Sequence, residues 1–167
     1  MKVSQQGNTV ILEDIKHFNP KHIFECGQCF RWIKQEDDSY TGVAMGKVIN
    51  VKQDGDKIYL DNTTKEDFDN IWYDYFDLGR DYEEMVNTLK VMDEYLEKAT
   101  EFGEGIRILK QDGWEMLISF IISANNRIPM IQRAINNLSK NFGTYIGEYK
   151  GQEYYAFRTS EQLSKAS

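Results

Sequence analysis

From Asp112 to Pro129 the chain reads Asp-Gly-Trp-Glu-Met-Leu-Ile-Ser-Phe-Ile-Ile-Ser-Ala-Asn-Asn-Arg-Ile-Pro. Trp114, Leu117, Ile118, Ile121 and Ile122 recur at i, i+3, i+4, i+7 and i+8, the spacing of one helical face. Met116 and Phe120 add apolar surface elsewhere, so this helix is predicted to be buried on most sides. Asp112 with Glu115 three residues on is a capping-box pattern for its start. Pro129 suits the first turn of a second helix, where its missing N–H has no intrahelical partner to lose. Ile131, Ala134, Ile135, Leu138 and Phe142 form the inner face of that helix, and Gly143 stands at the expected cap. The pair is joined by Ser123-Ala124-Asn125-Asn126-Arg127, five polar or small residues at one end of two apolar helices.

Upstream the pattern is β. Thr9 to Leu12 is a short aliphatic and β-branched run that reads as an edge strand. His17 to Cys26, with Pro20, reads as a turn or a single helical turn. Phe30, Trp32 and Ile33, then Tyr40, Val43 and Met45, then Val48 to Val51, then Lys57 to Leu60 follow with polar turns between them. Asp54-Gly55 between two such runs is a strong hairpin signal. The expectation is a small antiparallel sheet of four or five strands over residues 9–61. Helical signals take over at Thr64, where Asp67 completes a capping pattern and Phe68, Ile71, Trp72 and Tyr75 share a face. Further helices are expected from Asp81 and from Asp93, ending before Gly103 and Gly105. After Gly143, the segment with Tyr145, Tyr149, Tyr154, Tyr155 and Phe157 is expected as an irregular loop on the core. Ser160 is predicted to cap a last helix over 161–166. The fold class is therefore α+β: an antiparallel β lobe over residues 1–62, then a helical lobe over 63–167 that is expected to be incomplete at its C-terminus.

The 167 residues are enough for one substantial core or for two small lobes. No apolar run approaches the roughly 20 residues that span a bilayer, and Met1 to Gly7 lacks the apolar centre of a signal peptide. Two cysteines make a cytoplasmic protein without structural disulfides the default. The net charge of −7 is unevenly placed, for residues 61–102 hold thirteen acidic and four basic residues whereas 103–167 hold six and eight. A surface on the last segment thus escapes most of the repulsion a polyanion would meet, since screening lengths are about 8 Å at physiological salt. Charge neither supports nor excludes DNA.

Cys26-Gly27-Gln28-Cys29 has the spacing of a redox dithiol or of half a zinc site. A zinc site wants two further ligands and the only histidines are His17 and His22. A thioredoxin-type site wants a helix after the motif, and a β-rich run follows it instead. A tight glycine turn accounts for the spacing, and no metal or cofactor is expected. No glycine-rich phosphate loop follows a strand. The acidic residues of 61–102 are spaced as solvated helix faces. Asn125-Asn126-Arg127 can be an ordinary helix connection. It can also read base edges, because an asparagine amide both donates and accepts, with Arg127 on phosphate.

Three stretches together resemble one family. Glu25-Cys-Gly-Gln-Cys-Phe-Arg-Trp32 resembles the Gly-Gln-Ser-Phe-Arg-Trp segment of 8-oxoguanine DNA glycosylases, and Ser119-Phe-Ile-Ile-Ser-Ala-Asn-Asn-Arg-Ile128 resembles their Ser-Phe-Ile-Cys-Ser-Ser-Asn-Asn-Asn-Ile segment. Between them, Gly105-Ile-Arg-Ile-Leu-Lys-Gln-Asp112 resembles Gly-Val-Arg-Leu-Leu-Arg-Gln-Asp. The resemblance implies the first part of a helix–hairpin–helix glycosylase and AP lyase, a monomer acting on double-stranded DNA that contains 8-oxoguanine. Such enzymes extrude the damaged nucleotide. It implies that the Gly27 carbonyl accepts from the N7–H that distinguishes 8-oxoguanine from guanine. It also implies that Asn125 enters the gap left by the flipped base, with Asn126, Arg127 and Met130 in the same DNA-binding group. Met130 departs from the Arg of animal and yeast members, so weaker reading of the opposite base is expected. The family's Leu-Pro-Gly-Val-Gly hairpin, catalytic Lys and downstream Asp have no counterpart in residues 1–167. The chain alone is therefore expected to be inactive. The alternatives at this point are a DNA- or protein-binding module that has lost its catalytic half, and a thiol redox protein using Cys26 and Cys29.

Overall fold

The alternation of short β-branched runs with turns builds a six-stranded sheet, described with the rest of the fold by a computed structural model over residues 1–164. The strands are β1 (Lys2–Gln6), β2 (Thr9–Glu13), β3 (Trp32–Lys34), β4 (Tyr40–Ala44), β5 (Lys47–Asp54) and β6 (Lys57–Asp61), in the order β1-β2-β6-β5-β4-β3. β2 is therefore interior and β1 is the edge, contrary to the sequence expectation. β1 gives no apolar alternation to detect: it reads Lys-Val-Ser-Gln-Gln and only Val3 is half-buried. Its place comes from pairing with β2, Lys2 opposite Glu13 through Gln6 opposite Thr9.

Contacts divide the chain into two compact units that share β5. The first comprises Met1–Gln28 and Val51–Lys110. Val10 and Leu12 of β2 and Ile58 and Leu60 of β6 are buried in it. So are Ile23 and Phe24 of α1 (Pro20–Phe24). α2 (Lys65–Asp67), a π-helical turn (Phe68–Trp72) and α3 (Tyr73–Tyr75) run continuously and bury Phe68, Trp72 and Tyr75, followed by Phe76. Thr64 caps this run by accepting from the Asp67 N–H, and the buried Trp72 indole donates to Thr63 at 2.8 Å. α4 (Tyr82–Lys90) and α5 (Glu94–Phe102) follow, capped by Asp81 and Asp93.

The second unit comprises Cys29–Asn50 and Gln111–Ser167. Its helices are α6 (Gly113–Ser123), α7 (Ile128–Phe142) and α8 (Ser160–Leu163). The part of the expected last helix at Lys165 and Ala166 lies outside the described residues. Instead of an irregular loop, residues after Gly143 form a hairpin of β7 (Tyr145–Tyr149) and β8 (Gln152–Tyr155). The tyrosines that look like loop aromatics pair across it, Tyr145 against Tyr155 with ring centroids 5.7 Å apart.

Gly143 ends α7, though not in the left-handed conformation that a glycine cap suggests; its φ is −79°. A Cβ there would meet the Ala156 carbonyl oxygen at 2.0 Å, so glycine is required for close backbone approach. The expectation for α6 also changes. Ser119 is its buried residue, whereas Leu117 and Ile121 are 53% and 62% exposed and Met116 and Phe120 are exposed beside them. Periodicity identifies an apolar face but not what packs on it, and here the side turned to the core carries Ser119 with the half-buried Glu115 and Ile122.

Candidate functional site

Two loops carry the residues singled out by the sequence, one in each unit. In the first, α1 ends and the chain turns through Glu25 to Gln28. Gly27 has φ +86° and a Cβ built on it meets nothing within 4 Å. Glycine here answers to backbone conformation and not to crowding, since a left-handed backbone is disfavoured for L-residues. The neighbouring side chain fixes the turn. Gln28 Nε2 donates to the carbonyl oxygens of Ile23 at 2.9 Å and Arg107 at 2.8 Å, and Gln28 Oε1 accepts from the Leu109 N–H at 2.9 Å.

Arg107 is the anchor behind that turn. Its guanidinium donates to the carbonyls of His17, Asp77 and Lys16 at 2.7, 2.9 and 2.9 Å, and it lies over the Tyr82 ring. The Tyr82 hydroxyl in turn donates to Asp77 and accepts from the Ile108 N–H. Burial opposes ionisation of Asp77, but hydrogen bonds from Tyr82 and Lys110 and the charges of Arg80 and Lys110 outweigh it and hold the carboxyl below its ordinary value. Burial is the main cause that pushes the Arg107 guanidinium down and the Tyr82 hydroxyl up. Cys26 is exposed and donates weakly to the Ile23 carbonyl, whereas Cys29 is buried, and neither is in a disulfide. Among the described residues, no group of three or more His, Cys, Asp or Glu side chains is placed to hold a metal ion. None of their helices is long and apolar enough to cross a membrane.

In the second unit, α6 and α7 hold out the other loop. Asp112 caps α6 by accepting from the Glu115 N–H at 2.8 Å. The Glu115 carboxylate lies 3.5 Å from Arg31, whose guanidinium also donates to the Tyr155 carbonyl. Burial raises the Glu115 pKa, and the Arg31 charge offsets that only in part. Phe30 is buried with Ile131 and Ile135 of α7, flanked by Ile122 and Phe157, and meets Phe120 edge-on at 5.9 Å. The Phe-Arg pair that follows the glycine turn thus seats the helix pair.

Every residue from Ala124 to Met130 is exposed. The two asparagines differ in role. Asn126 donates to the Ile122 carbonyl at 3.3 Å and accepts from the Arg127 N–H at 2.9 Å, closing the turn with its own amide. Asn125 has φ +54°, a conformation asparagine tolerates, and its amide has no partner among the described residues. The Arg127 guanidinium likewise makes no ion pair among them, and α7 begins beside it with no acidic residue in its first turn. Met130 is 52% exposed. The structure therefore groups Asn125, Asn126 and Arg127 on one exposed loop with Met130 in the first turn of α7 beside it, and Gly27 stands on the turn of the other unit. Gln28 and Arg107, which hold the Gly27 turn, were not singled out by sequence reasoning; for Arg107 the available signal was a charged residue between Ile106 and Ile108.

This α+β scaffold with its two loops is of the class solved as DNA base-repair glycosylases. It matches MBOgg1, solved in complex with a low-affinity DNA ligand, at 52% identity and a TM-score of 0.95 over 99% of this chain and 57% of that one. It matches the Clostridium acetobutylicum 8-oxoguanine glycosylase/lyase, solved with DNA containing cytosine opposite 8-oxoguanine, at 47% identity and a TM-score of 0.95. That match covers the whole of this chain and 57% of the other. The N-glycosylase/DNA lyase of Saccharomyces cerevisiae is 33% identical over 157 residues, 86% of this chain and 41% of that protein. Residues 10–117 match the family model of the 8-oxoguanine DNA glycosylase N-terminal domain, and the chain belongs to that family. It spans about two-fifths of the length of the yeast relative.

Proposed function

We propose that this chain supplies the lesion-reading and duplex-wedging part of an 8-oxoguanine DNA glycosylase and lyase. The observation that carries the reading is the pairing of family membership with the state of the two loops: Gly27 held in a left-handed turn and Asn125 exposed, its amide without a partner among the described residues. The Gly27 carbonyl accepts from N7–H of an extruded 8-oxoguanine; guanine carries a lone pair there and repels it. Such a bond contributes about 0.5–1.5 kcal/mol net, more where losing it leaves a buried group unsatisfied. Asn125 fills the vacated space and pairs with the edge of the estranged base, and Arg127 binds phosphate beside the N-terminus of α7. Met130 has no hydrogen-bond donor, so the base opposite the lesion is read weakly. Cys26 and Cys29, neither in a disulfide, suit the reducing cytoplasm in which we place the protein.

Base release and strand cleavage in this family need an amine nucleophile that forms a Schiff base at the sugar. The family's catalytic Lys motif has no counterpart among these residues, and we place the 167-residue chain on the inactive side. The test is binding of this chain to duplexes with 8-oxoguanine or guanine opposite each of C, A, G and T, followed by borohydride treatment. A preference for the lesion, a spread of less than about tenfold among opposite bases and no covalent adduct are expected. Equal binding of lesion and guanine would sink the lesion-reading role, and a trapped adduct would sink the assignment of inactivity. A binding module without lesion preference is the alternative that the first result would favour.

A further inference from the structure

We infer that Gln28 is the positioning residue for lesion selectivity: its amide fixes the direction in which the Gly27 carbonyl points. This rests on the reading of Gly27 given above and extends it to a residue that touches no part of the substrate. The geometry begins with the peptide bond. The Gly27 carbonyl lies in the plane that ends at the Gln28 N and Cα atoms, so holding Gln28 holds that carbonyl. Glycine cannot do this for itself, because it is the residue with the widest backbone freedom.

The Gln28 side chain is suited to the task. An amide offers two donors and acceptor lone pairs, and here both donors and the carbonyl oxygen are engaged, each by backbone. The Ile23 carbonyl is one of those left without an intrahelical partner near the end of α1. The Arg107 carbonyl and Leu109 N–H belong to a ribbon that is itself fixed, since Ile108 N–H donates to Tyr82, Lys110 N–H donates to the Tyr75 carbonyl, and the Arg107 guanidinium holds three more carbonyls. Gln28 therefore ties the end of α1 to this ribbon, with the Gly27 turn closed between them. Neither a carboxylate nor a thioether of the same length can replace it. The substitution Gln28→Glu would set negative charge against two carbonyl oxygens, and Gln28→Met would remove the amide from all three backbone groups, leaving the Ile23 carbonyl with only the weak Cys26 thiol donor.

The test uses the 167-residue chain with Gln28→Met, Gln28→Glu and Gly27→Ala. Binding is measured to a duplex with 8-oxoguanine opposite cytosine and to the same duplex with guanine, and amide exchange at Leu109 is followed in parallel. The expected result for Gln28→Met is a lesion-over-guanine ratio reduced about three- to tenfold, the range of one lost hydrogen bond. Affinity for the guanine duplex stays within about twofold, and Leu109 exchange quickens. Gln28→Glu falls further, and Gly27→Ala removes the preference. A general loss of fold would lower both affinities together and leave their ratio unchanged, so near-unchanged guanine binding separates positioning from destabilisation. A wild-type preference that Gln28→Met retains overturns the inference and spares the Gly27 reading. A wild type without preference overturns the Gly27 reading, and unchanged Leu109 exchange in Gln28→Met then overturns the clamp as well.

Discussion

The turn at Gly27 and the loop at Asn125 both carry a residue with positive φ, and they are built in opposite ways. The first is tied on either side: Gln28 makes three hydrogen bonds to backbone, and the ribbon it grips is held by Arg107. The second is closed by local bonds alone among those described, from the Asn126 amide and from the Asn126 N–H to the Ser123 carbonyl, and is exposed from Ala124 to Met130. The difference follows from what each is proposed to do. A backbone carbonyl has no side-chain freedom, and it discriminates one proton only if its direction is fixed. A wedge must instead leave its side chains unengaged until the duplex opens.

The sharpest way to break this comparison lies in the Asn-Asn pair. Asn125→Ala is expected to weaken binding to the 8-oxoguanine duplex by about 1–3 kcal/mol, the worth of a good amide contact to a base edge, with little change in fold stability. Asn126→Ala is expected to do the reverse, loosening the turn and costing about 0.5–1.5 kcal/mol of stability as two modest hydrogen bonds are lost. Paired binding titrations and urea melts check both, and an identical outcome for the two asparagines would erase the division of roles. Next comes Gly27→Ala, expected to cost about 1–2 kcal/mol of unfolding free energy through its left-handed backbone alone. A neutral effect in urea denaturation would mean that the turn relaxes freely. Arg127→Ala should weaken binding to all duplexes alike and lower the slope of log K against log salt by about one; a base-dependent effect would contradict a phosphate contact.

The smallest effect concerns the support of the loop. Burial raises the Glu115 pKa in the folded unit. Its contribution to stability is thus fully present below the unfolded value of about 4.3 and is lost as pH rises through the folded one. Relative to Glu115→Gln, the wild type is expected to gain stability as the pH is lowered from about 7 toward about 4.5, the window between neutrality and the unfolded value. Thermal melts of both proteins across that range check the sign, and a constant difference would show Glu115 to titrate normally.

Much of this was written locally. Asp112, Thr64, Asp81 and Asp93 each precede a helical run, and each caps it, because capping joins groups two or three residues apart. The Asp54-Gly55 turn joins β5 to β6 for the same reason of short range. Where local reading fails, the deciding partner lies elsewhere. β1 is polar and exists because β2 offers it an edge. The tyrosine segment after Gly143 forms a hairpin because Tyr145 to Tyr149 pairs antiparallel with Gln152 to Tyr155, with a register shift between Tyr145 and Gly147. The apolar residues of α6 follow helical spacing as expected but divide, Trp114, Ile118 and Ile122 half-buried beside the buried Ser119 while Leu117 and Ile121 are exposed.

The candidate site divides along the same line. The sequence by itself determined the family motifs, the glycine that a left-handed turn requires, and the presence of two asparagines between two helices. The folded turn distinguished Asn125 from Asn126 through bonds within four residues, and only tertiary structure assigned Gln28 and Arg107 their places. Helix caps and glycine conformations depend on nearest neighbours in the chain. The Gln28 bonds to Arg107 and Leu109 join residues about eighty positions apart, and such a contact leaves no periodic trace for a sequence to display.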